Sequence, residues 1–467
     1  MPVEWSGRSP EVMIQLDRSA GDPLGHQLQA ALRTAIRSGR VAAGERLPSS
    51  RRLATDLGVS RGLVQTTYEQ LVAEGYLTAV PGGATRVAPV PQDTPIPTRP
   101  PEAIASHGID FAPGRPDLSS FPMRDWLWAC GEAARAAATR DIGYGDAAGS
   151  PRLRNVLSSY TRRVRATNTN PEDMIVCGGF TQGIALTLNV LRHAGVATVG
   201  VEDPGHAEMA THVRRAGLTP VPVPLDAHGV VVDALRDTPA TAVILTPAHQ
   251  TPTGVVLTSA RRQELLRWAE YRDGIIIEDD YDSEFRYDRQ PVGALQGLAP
   301  DRVLLIGSVS KSLGPTMRLG WIIAPPRLAP AIAEDKHHSD RGSPGLDQLA
   351  LARLMESGRY DAHLRRMRRT YTAKRTALTD ALRQHAPHIR LTGLEAGFHA
   401  VAALPDGTDE DAVVAAAERR AVHLHGLRRY RHAPHRADPP GIVFGFGDLN
   451  DHAIATGIAR IADLLAP

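Results

Sequence analysis

Lys311 is the residue of this sequence best suited to covalent chemistry, because a lysine amine can form a Schiff base with an aldehyde. It follows Ser310 and lies seven residues before Arg318. Hydroxyl side chains beside an arginine are suited to binding a phosphate group. Among the 53 lysines and arginines of the 467-residue chain, only Lys311, Lys336 and Lys374 are lysines, which we attribute to codon bias in a GC-rich genome. Amine chemistry therefore has three candidate residues.

Four further motifs complement the segment GSVSKSLGPTMRLGW at 307–321. Each follows an apolar run, and they are GGFTQG at 178–183, EDPGH at 202–206, TPAHQTPTG at 246–254 and EDDYDSEF at 278–285. A Gly-rich helix start can bind a phosphate together with Ser308, Ser310 and Arg318, and an acidic residue can hold a pyridine nitrogen protonated. An aldehyde, a pyridine nitrogen and a phosphate define pyridoxal 5′-phosphate (PLP), so the set predicts a PLP site. The alternative is five unrelated turns of an α/β enzyme.

Short apolar runs alternate with helical segments beyond residue 108, and this alternation predicts an α/β fold with a largely parallel sheet. Ligands of such sheets bind at the carboxyl ends of the strands, which is where the five motifs fall. The predicted strands are Met174–Val176, Thr198–Val201, Ala242–Leu245, Ile275–Ile277 and Val303–Ile306, and the predicted helices include Gln182–Leu191 and Ser259–Tyr271.

The first ninety residues have a different pattern, with three helices and a hairpin. Apolar residues at helical spacing predict a first helix that stops at Gly39. Ser49 or Ser50 can cap a second helix that ends at Gly58, and Ser60 can cap a third. Alternation around residues 81–83 predicts a two-stranded hairpin. Together these elements describe a winged helix-turn-helix.

Positive charge is concentrated in the same segment. Residues 31–90 hold eight arginines and four acidic residues, a net +4, so the remainder of this +2 chain sums to −2. A small basic domain is suited to binding a polyanion such as double-stranded DNA. The alternative is a helical adaptor whose basic face is only solvated.

Proline divides the two parts. Six of the thirteen residues at 89–101 are prolines, and this composition predicts a semi-rigid linker because proline fixes φ and removes N–H donors. The predicted domains are a winged helix-turn-helix at 11–88, the linker at 89–108 and a cofactor domain at 109–467.

Cysteine content and hydropathy indicate the compartment. Cys130 and Cys177 are the two cysteines, and they predict neither a disulfide framework nor a metal site. No apolar run reaches the roughly 18 residues of a membrane helix, and residues 1–10 lack the apolar region of a signal peptide. We therefore expect a cytoplasmic protein.

Most of residues 20–88 resemble the DNA-binding domain of the GntR-type bacterial regulators. The resemblance is carried by the sequence GRVAAGERLPSSRRLATDLGVSRGLVQTTYEQLVAEGYLTAVPGGATRVA. Side chains at the start of the recognition helix reach base edges in the major groove, arginines of the preceding helix meet phosphates, and an arginine beside the wing reaches the minor groove. The residues predicted for these three roles are Ser60, Arg61 and Gln65; Arg51 and Arg52; and Arg86. Gln65 stands where the family usually has an arginine, which leaves the base preference open.

Residues 109–467 resemble the aspartate-aminotransferase fold of PLP proteins, fold type I. The motifs S-x-SK-x-x-x-P-x-x-RLGW, DDY-x-SEF and HQ-x-PTG are similar to those of the MocR/GabR regulators, in which this fold follows a GntR domain. The resemblance implies that Lys311 forms an internal aldimine with PLP. It further implies Asp279 at the pyridine nitrogen, with Asp280 as the alternative, and Tyr281 at the ring hydroxyl.

The same resemblance implies the remaining cofactor contacts. His249 would lie near the ring hydroxyl, and His206 would stack on the ring where the family usually has a tyrosine. Tyr144 would reach the phosphate of the neighbouring subunit, which implies a head-to-tail homodimer. The residues that match phosphate-binding positions are Phe180, Thr181, Gln182, Ser308, Ser310 and Arg318.

One departure concerns the substrate. Aminotransferases usually carry an arginine near the C-terminus that grips the substrate carboxylate, and Val443 occupies that position here. An apolar side chain offers no bidentate grip. The alternatives for this grip are the nearby Arg428, Arg429 and Arg431, which we instead expect to form a solvated basic loop.

Three functions remain open. The first is a PLP-dependent, DNA-binding transcriptional regulator of the MocR family, in which PLP or a small amine modulates operator binding. The second is a regulator that senses PLP itself and controls vitamin B6 synthesis or salvage. The third is a working aminotransferase with an accessory DNA-binding domain, which the missing arginine disfavours. We therefore expect a sensor rather than an enzyme, with residual transaminase activity as the exception.

Overall fold

The structure is a computed structural model that describes residues 14–80, 83–91, 108–287, 292–432 and 438–465. The chain divides into two compact units, Met1–Ile104 and Ala105–Pro467. Most of the predicted linker at 89–108 lies outside the described residues. Within the ranges given above, none of the helices combines the length and the apolar character needed to span a bilayer.

The first unit contains three helices followed by a short hairpin. They are α1 (Leu24–Arg37), α2 (Ser50–Leu57) and α3 (Arg61–Ala73), with β1 (Leu77–Thr78) antiparallel to β2 (Arg86–Val87). The Ser49 and Ser60 hydroxyls cap α2 and α3, each accepting the N–H three residues later. Gly58 ends α2 in the left-handed region at φ 63°, which glycine adopts at little cost. These elements confirm the predicted caps and hairpin, although Pro81 and Gly82 at the tip lie outside the described residues.

A leucine-rich core fixes the third helix in this unit. Leu32 on α1, Leu53 on α2 and Leu71 on α3 are fully buried members of one cluster. Burying a leucine side chain contributes roughly 1.5–3 kcal/mol, so the cluster holds α3 against the other two helices. Arg61 and Gln65 on the opposite side of α3 remain exposed.

The second unit is built on an eight-stranded sheet. After β3 (Ile109–Asp110), its strands are β4 (Met174–Cys177), β5 (Thr198–Asp203), β6 (Thr219–Asp226), β7 (Gly229–Val230), β8 (Ala242–Leu245), β9 (Ile275–Asp280), β10 (Val303–Ser308) and β11 (Gly320–Ile323). The order across the sheet is β4-β11-β10-β9-β8-β5-β6-β7. All five predicted strands are confirmed, and β11, antiparallel to both β4 and β10, is a strand that the sequence pattern did not predict.

The described part of the second unit also contains helices, and the two predicted from the sequence are confirmed. They are α4 (Met123–Ala136), α5 (Pro151–Arg165), α6 (Phe180–His193), α7 (Met209–Arg215), α8 (Val232–Arg236), α9 (Ser259–Tyr271), α10 (Ala329–Asp340), α11 (Gly345–Glu356), α12 (Arg359–His385), α13 (Glu410–Glu418) and α14 (Asp451–Ile461). A smaller sheet near the C-terminus has the order β12-β13-β16-β15, and β14 pairs with β3. These strands are β12 (Arg390–Thr392), β13 (His399–Ala403), β14 (Val422–His423), β15 (His425–Gly426) and β16 (Gly441–Gly445).

The register of β9 and β10 sets up the candidate site. The strands are parallel, with Ile306 opposite Asp279 and Gly307 opposite Asp280. Their carboxyl ends are therefore level, and the segments that follow them meet at one edge of the sheet, where ligands bind in folds of this kind.

Candidate functional site

Lys311 lies in the loop between β10 and β11, with its amine inside the second unit. Its Nζ donates a hydrogen bond to the carbonyl oxygen of Gly114 at 2.6 Å. Burial lowers the pKa of the Lys311 amine, and the nearby Asp279 and Asp282 carboxylates oppose that shift. Lys336 and Lys374 both pair with carboxylates. Lys311 is thus the one lysine without a carboxylate partner among the described residues.

Asp279 and Asp280 are adjacent on β9 and have different partners. Nε of Arg165 lies 2.9 Å from Oδ2 of Asp280, whereas the Asp279 carboxylate has no hydrogen bond within the described part of the chain. Burial raises the pKa of Asp279 well above its usual value, Asp280 raises it further, and Lys311 opposes the shift. A buried carboxyl of this kind gains most by meeting a cationic donor, and Asp279 is therefore better suited than Asp280 to a pyridine nitrogen.

Tyr281 lies against His249 in a buried hydrogen-bonded group. The Tyr281 hydroxyl lies 3.1 Å from Nδ1 of His249 and donates to the His249 carbonyl oxygen at 3.1 Å. Oδ2 of Asp282 lies 2.7 Å from the same Nδ1. Burial alone would lower the pKa of His249, but the charge of Asp282 outweighs it and holds that pKa above its usual value. The two predicted residues are thus brought together, and Asp282 joins them.

His399 on β13 completes a cluster with His249 and Asp282, whose ligand-type atoms all lie within 4.8 Å of one another. Burial lowers the pKa of His399 to about 3, so its ring is neutral. Its Nε2 is buried without a hydrogen-bond partner. Within this cluster, Nδ1 of His249 and Oδ2 of Asp282 are at hydrogen-bond distance, so these two side chains bond to each other.

A cradle for an anion lies at the N-terminus of α6. Gly179 is the N-cap residue, with φ 94° and no side-chain cap, so the first N–H groups of the helix are available to an anion. A Cβ at Gly179 would lie 3.4 Å from Nη1 of Arg318 and 3.8 Å from Oγ of Ser310. Among the described residues, the Arg318 guanidinium has neither an ion pair nor a hydrogen bond. An unpaired cation and an uncapped helix thus face the same small space.

Other residues predicted at the phosphate surround this cradle. Phe180, Thr181 and Gln182 form the first turn of α6, and Ser308 is the buried last residue of β10. The Gln182 side chain bonds to the protein itself, because it accepts the N–H of Gly178 at 2.6 Å and donates to Asp340 at 2.7 Å. Gln182 can therefore offer an anion its backbone N–H more readily than its side chain.

His206 and Tyr144 have few partners within one chain. His206 is exposed, and its Nδ1 accepts the N–H of Glu208 at 3.3 Å. Tyr144 is 88% exposed. The expected stacking of His206 and the expected contact of Tyr144 with a second subunit remain predictions.

Val443 is fully buried in the middle of β16, where it packs with Val401, Leu427 and Tyr430. Arg428 and Arg429 are exposed. Arg431 is half-buried, and its Nε lies 3.7 Å from Asp438.

The predicted DNA contacts lie on the helices and hairpin of the first unit. Ser60 caps α3, while Arg51, Arg52, Arg61 and Gln65 are exposed on α2 and α3. The Arg86 side chain donates to the carbonyl oxygen of Gly44 at 2.8 Å. The DNA contacts of these six residues remain predictions.

Sequence reasoning missed the groups that hold the predicted residues. They are Asp282 beside His249, the Gly114 carbonyl at Lys311, Arg165 at Asp280, and Asp340 at Gln182. Only Asp282 had a local signal, since it stands in the same acidic motif as Asp279. The others come from segments more than 100 residues away, where no local pattern marks them.

Two families match the chain. Residues 24–87 match the bacterial regulatory proteins of the gntR family, and residues 106–431 match aminotransferase class I and II. The chain is 32% identical over 470 residues to the probable rhizopine catabolism regulatory protein MocR of Rhizobium meliloti, covering 96% of this chain and 94% of that protein. It is 34% identical over 444 residues to the HTH-type pyridoxine biosynthesis transcriptional regulator PdxR of Corynebacterium glutamicum, covering 94% and 95%.

Solved structures resemble the second unit. An archaeal alanine:glyoxylate aminotransferase is similar with a TM-score of 0.70 and 25% identity, covering 77% of this chain and 90% of that one. A multiple substrate aminotransferase from Thermococcus profundus is similar in fold, with a TM-score of 0.71, 24% identity and coverage of 78% and 92%. A GntR winged helix is thus followed by a fold-type I aminotransferase domain, and the chain belongs to the MocR-type family of transcriptional regulators.

Proposed function

We propose that this regulator binds PLP at Lys311 and that PLP, or a small amine that reacts with it, modulates binding to its DNA operator. The observation that carries the proposal is that three groups suited to PLP form no ion pair with another side chain. Lys311 has no carboxylate partner, Asp279 has no hydrogen bond, and Arg318 has no ion pair within the described residues. Each of the three groups is therefore available to bind one part of the cofactor: Lys311 the aldehyde, Asp279 the ring nitrogen and Arg318 the phosphate.

Different residues of this chain would bind different parts of the cofactor. When bound, PLP supplies an aldehyde carbon that primary amines attack and a pyridine ring that withdraws electrons. Lys311 offers an amine whose pKa is lowered by burial, which favours the reactive unprotonated form. Asp279 accepts the N–H of the ring, and Tyr281 with His249 fixes its hydroxyl. Arg318 and the first turn of α6 bind the phosphate.

A head-to-tail homodimer is part of the proposal. Tyr144 is 88% exposed, and further exposed apolar side chains lie on neighbouring elements of the second unit: Leu118, Met123, Leu127, Ile142 and Leu346. A second copy of the chain would cover such a surface. Two winged helices on one dimer suit an operator with two half-sites, and a regulator of this kind acts where the DNA is, in the cytoplasm.

Visible absorbance and DNA binding test the proposal together. Wild-type protein with PLP is expected to absorb in the visible range and to change its operator affinity when PLP is added. Lys311→Arg has no amine that can form a Schiff base and is expected to lose both effects, while its melting temperature shows whether the fold is retained. A wild-type response to PLP in Lys311→Arg would contradict the proposal. Mapping the bound sites in the genome with and without PLP supplies the operator.

Control of vitamin B6 synthesis or salvage is a second candidate. Two observations favour it: the 34% identity to a pyridoxine biosynthesis regulator, and the buried Val443, since PLP as effector needs no site for an amino-acid carboxylate. Binding sites beside genes of B6 metabolism would support this candidate. Turnover of an amino acid with a keto acid would instead favour an aminotransferase.

A further inference from the structure

Asp340, the last residue of α10, bonds to the anion cradle through Gln182. Its Oδ2 accepts a hydrogen bond from Nε2 of Gln182 at 2.7 Å, and Oε1 of Gln182 accepts the N–H of Gly178 at 2.6 Å. Gly178 immediately precedes the Gly179 cap of α6. One hydrogen-bonded chain therefore runs from the end of α10 to the loop that would hold a phosphate.

The other carboxylate oxygen of Asp340 bonds to the turn that follows α10, on the side away from Gln182. Its Oδ1 accepts the N–H of Gly342 at 2.8 Å. A Cβ at Gly342 would lie 3.5 Å from the carbonyl oxygen of Tyr144, and one at Gly345 would lie 3.1 Å from that of Asp141. The turn after α10 thus lies close along the backbone of residues 141–147, the segment that carries Tyr144.

Lys336 keeps Asp340 ionised and in place. Its Nζ is fully buried and donates to Oδ1 at 2.8 Å and to Oδ2 at 2.7 Å. A buried ammonium group is costly without a carboxylate partner. Burial opposes ionisation of Asp340, but the bonds from Lys336 and Gln182 prevail and lower the pKa of Asp340. Asp340 is therefore a fixed anion that joins two segments.

We propose that Asp340 is a positioning residue that couples occupancy of the phosphate cradle to the segment carrying Tyr144. The inference rests on the proposed function, since it requires an anion at Gly179 and Arg318. An anion that orders the first turn of α6 would act through Gln182 on Asp340, and through Gly342 on residues 141–147. Binding of an anion in the cradle of one subunit would then also order the segment of Tyr144, the residue expected to reach a second subunit.

The chain offers a matched control on the same two helices. Nδ2 of Asn189 on α6 donates to Oδ1 of Asp335 on α10 at 2.8 Å, but this contact bonds to neither the cradle nor the 141–147 segment. Asp335→Asn therefore removes an α6–α10 contact of similar chemistry without touching the proposed connection.

Affinity for PLP compared with pyridoxal, which lacks the phosphate, tests the proposal in the full chain. Asp340→Asn and Gln182→Met are expected to raise the Kd for PLP about tenfold, because each loses one charge-assisted hydrogen bond. Both variants are expected to leave the Kd for pyridoxal unchanged. Asp335→Asn should change neither. Gln182→Met retains the pair of Lys336 with Asp340, so the test does not depend on how well Asp340→Asn folds. Equal weakening for both ligands would overturn the proposal.

Hydrogen exchange of residues 141–147 with inorganic phosphate as the probe gives a second readout. Phosphate is expected to protect this segment in wild type and in Asp335→Asn, but not in Asp340→Asn or Gln182→Met. Protection that persists in those two variants would overturn the coupling. A wild type that binds neither PLP nor pyridoxal would overturn the proposed function, whereas the phosphate measurement would still decide the role of Asp340.

Discussion

The side chains of Arg165 and Asp280 form a buried ion pair, with Nε of Arg165 2.9 Å from Oδ2 of Asp280 and side chains that are 4% and 8% exposed. The pair joins the end of α5 to the end of β9. It gives Asp280 a cationic partner and leaves the adjacent Asp279 without a hydrogen bond or ion pair among the described residues.

Asp280→Asn should lower the stability of the second unit. The substitution leaves Glu278, at 3.9 Å, as the remaining carboxylate partner of the buried Arg165 guanidinium, and losing one partner of a buried charge costs up to about 3 kcal/mol. Denaturant unfolding monitored by circular dichroism would measure the loss of unfolding free energy. A change below about 1 kcal/mol, the size of a surface pair, would show that the pair has little weight.

Asp279→Asn should weaken PLP binding and spare the fold. An amide cannot stabilise a protonated ring nitrogen as a carboxylate does, and the lost charge-assisted bond corresponds to about a tenfold higher Kd. Removing the carboxyl should not lower the melting temperature, because burial already penalises its ionised form. Titration of visible absorbance with PLP gives the Kd, and the same titration of Asp280→Asn shows whether the neighbouring carboxylate makes the contact instead. Unchanged PLP affinity would move the nitrogen contact away from Asp279.

The pair of His249 with Asp282 should contribute a stability that depends on pH. The pKa of His249 is raised in the folded protein, so the contribution is complete below the unfolded value of about 6.5 and is lost as pH rises through the folded value. Asp282→Asn removes the charge that raises it. The stability difference between wild type and Asp282→Asn should therefore be larger at about pH 6 than at about pH 9. A difference that grows with pH would contradict this sign.

Val443→Arg should unfold the small C-terminal sheet without restoring a grip on substrate carboxylate. Val443 is fully buried among Val401, Leu427 and Tyr430, and an uncompensated buried charge costs more than about 3 kcal/mol. Thermal unfolding and an assay of amino-acid turnover would measure both effects, with Val443→Ile as the apolar control. A stable Val443→Arg protein with transaminase activity would contradict the expectation.

Arg51→Ala should reduce the salt dependence of operator binding. A phosphate contact contributes about 0.9 to the slope of log affinity against log salt concentration, and Arg51 is exposed on α2. Arg33→Ala is the matched control, because Arg33 is already paired with Glu74 at 2.6 Å. Fluorescence anisotropy across a salt series would give the slopes. An unchanged slope in Arg51→Ala would remove that residue from the contacts.

Local patterns determined much of the fold. Ser49 and Ser60 were predictable as caps because a hydroxyl bonds the N–H three residues later in its own chain. The five buried strands were predictable because each is a short apolar run followed by polar residues. Lys311 stood out by type and spacing alone, in a chain with three lysines.

The tertiary structure decided which neighbours those residues have. Arg165 approaches Asp280 across 115 positions, and Gln182 meets Asp340 across 158. Strand register and helix packing set such distances, and neither is encoded in a local pattern. By itself, therefore, the sequence determined two domain types and a candidate lysine. The pairing of Asp280 with Arg165, and the bonds that hold Gln182, depended on the folded chain, because side-chain contacts follow from how distant segments pack.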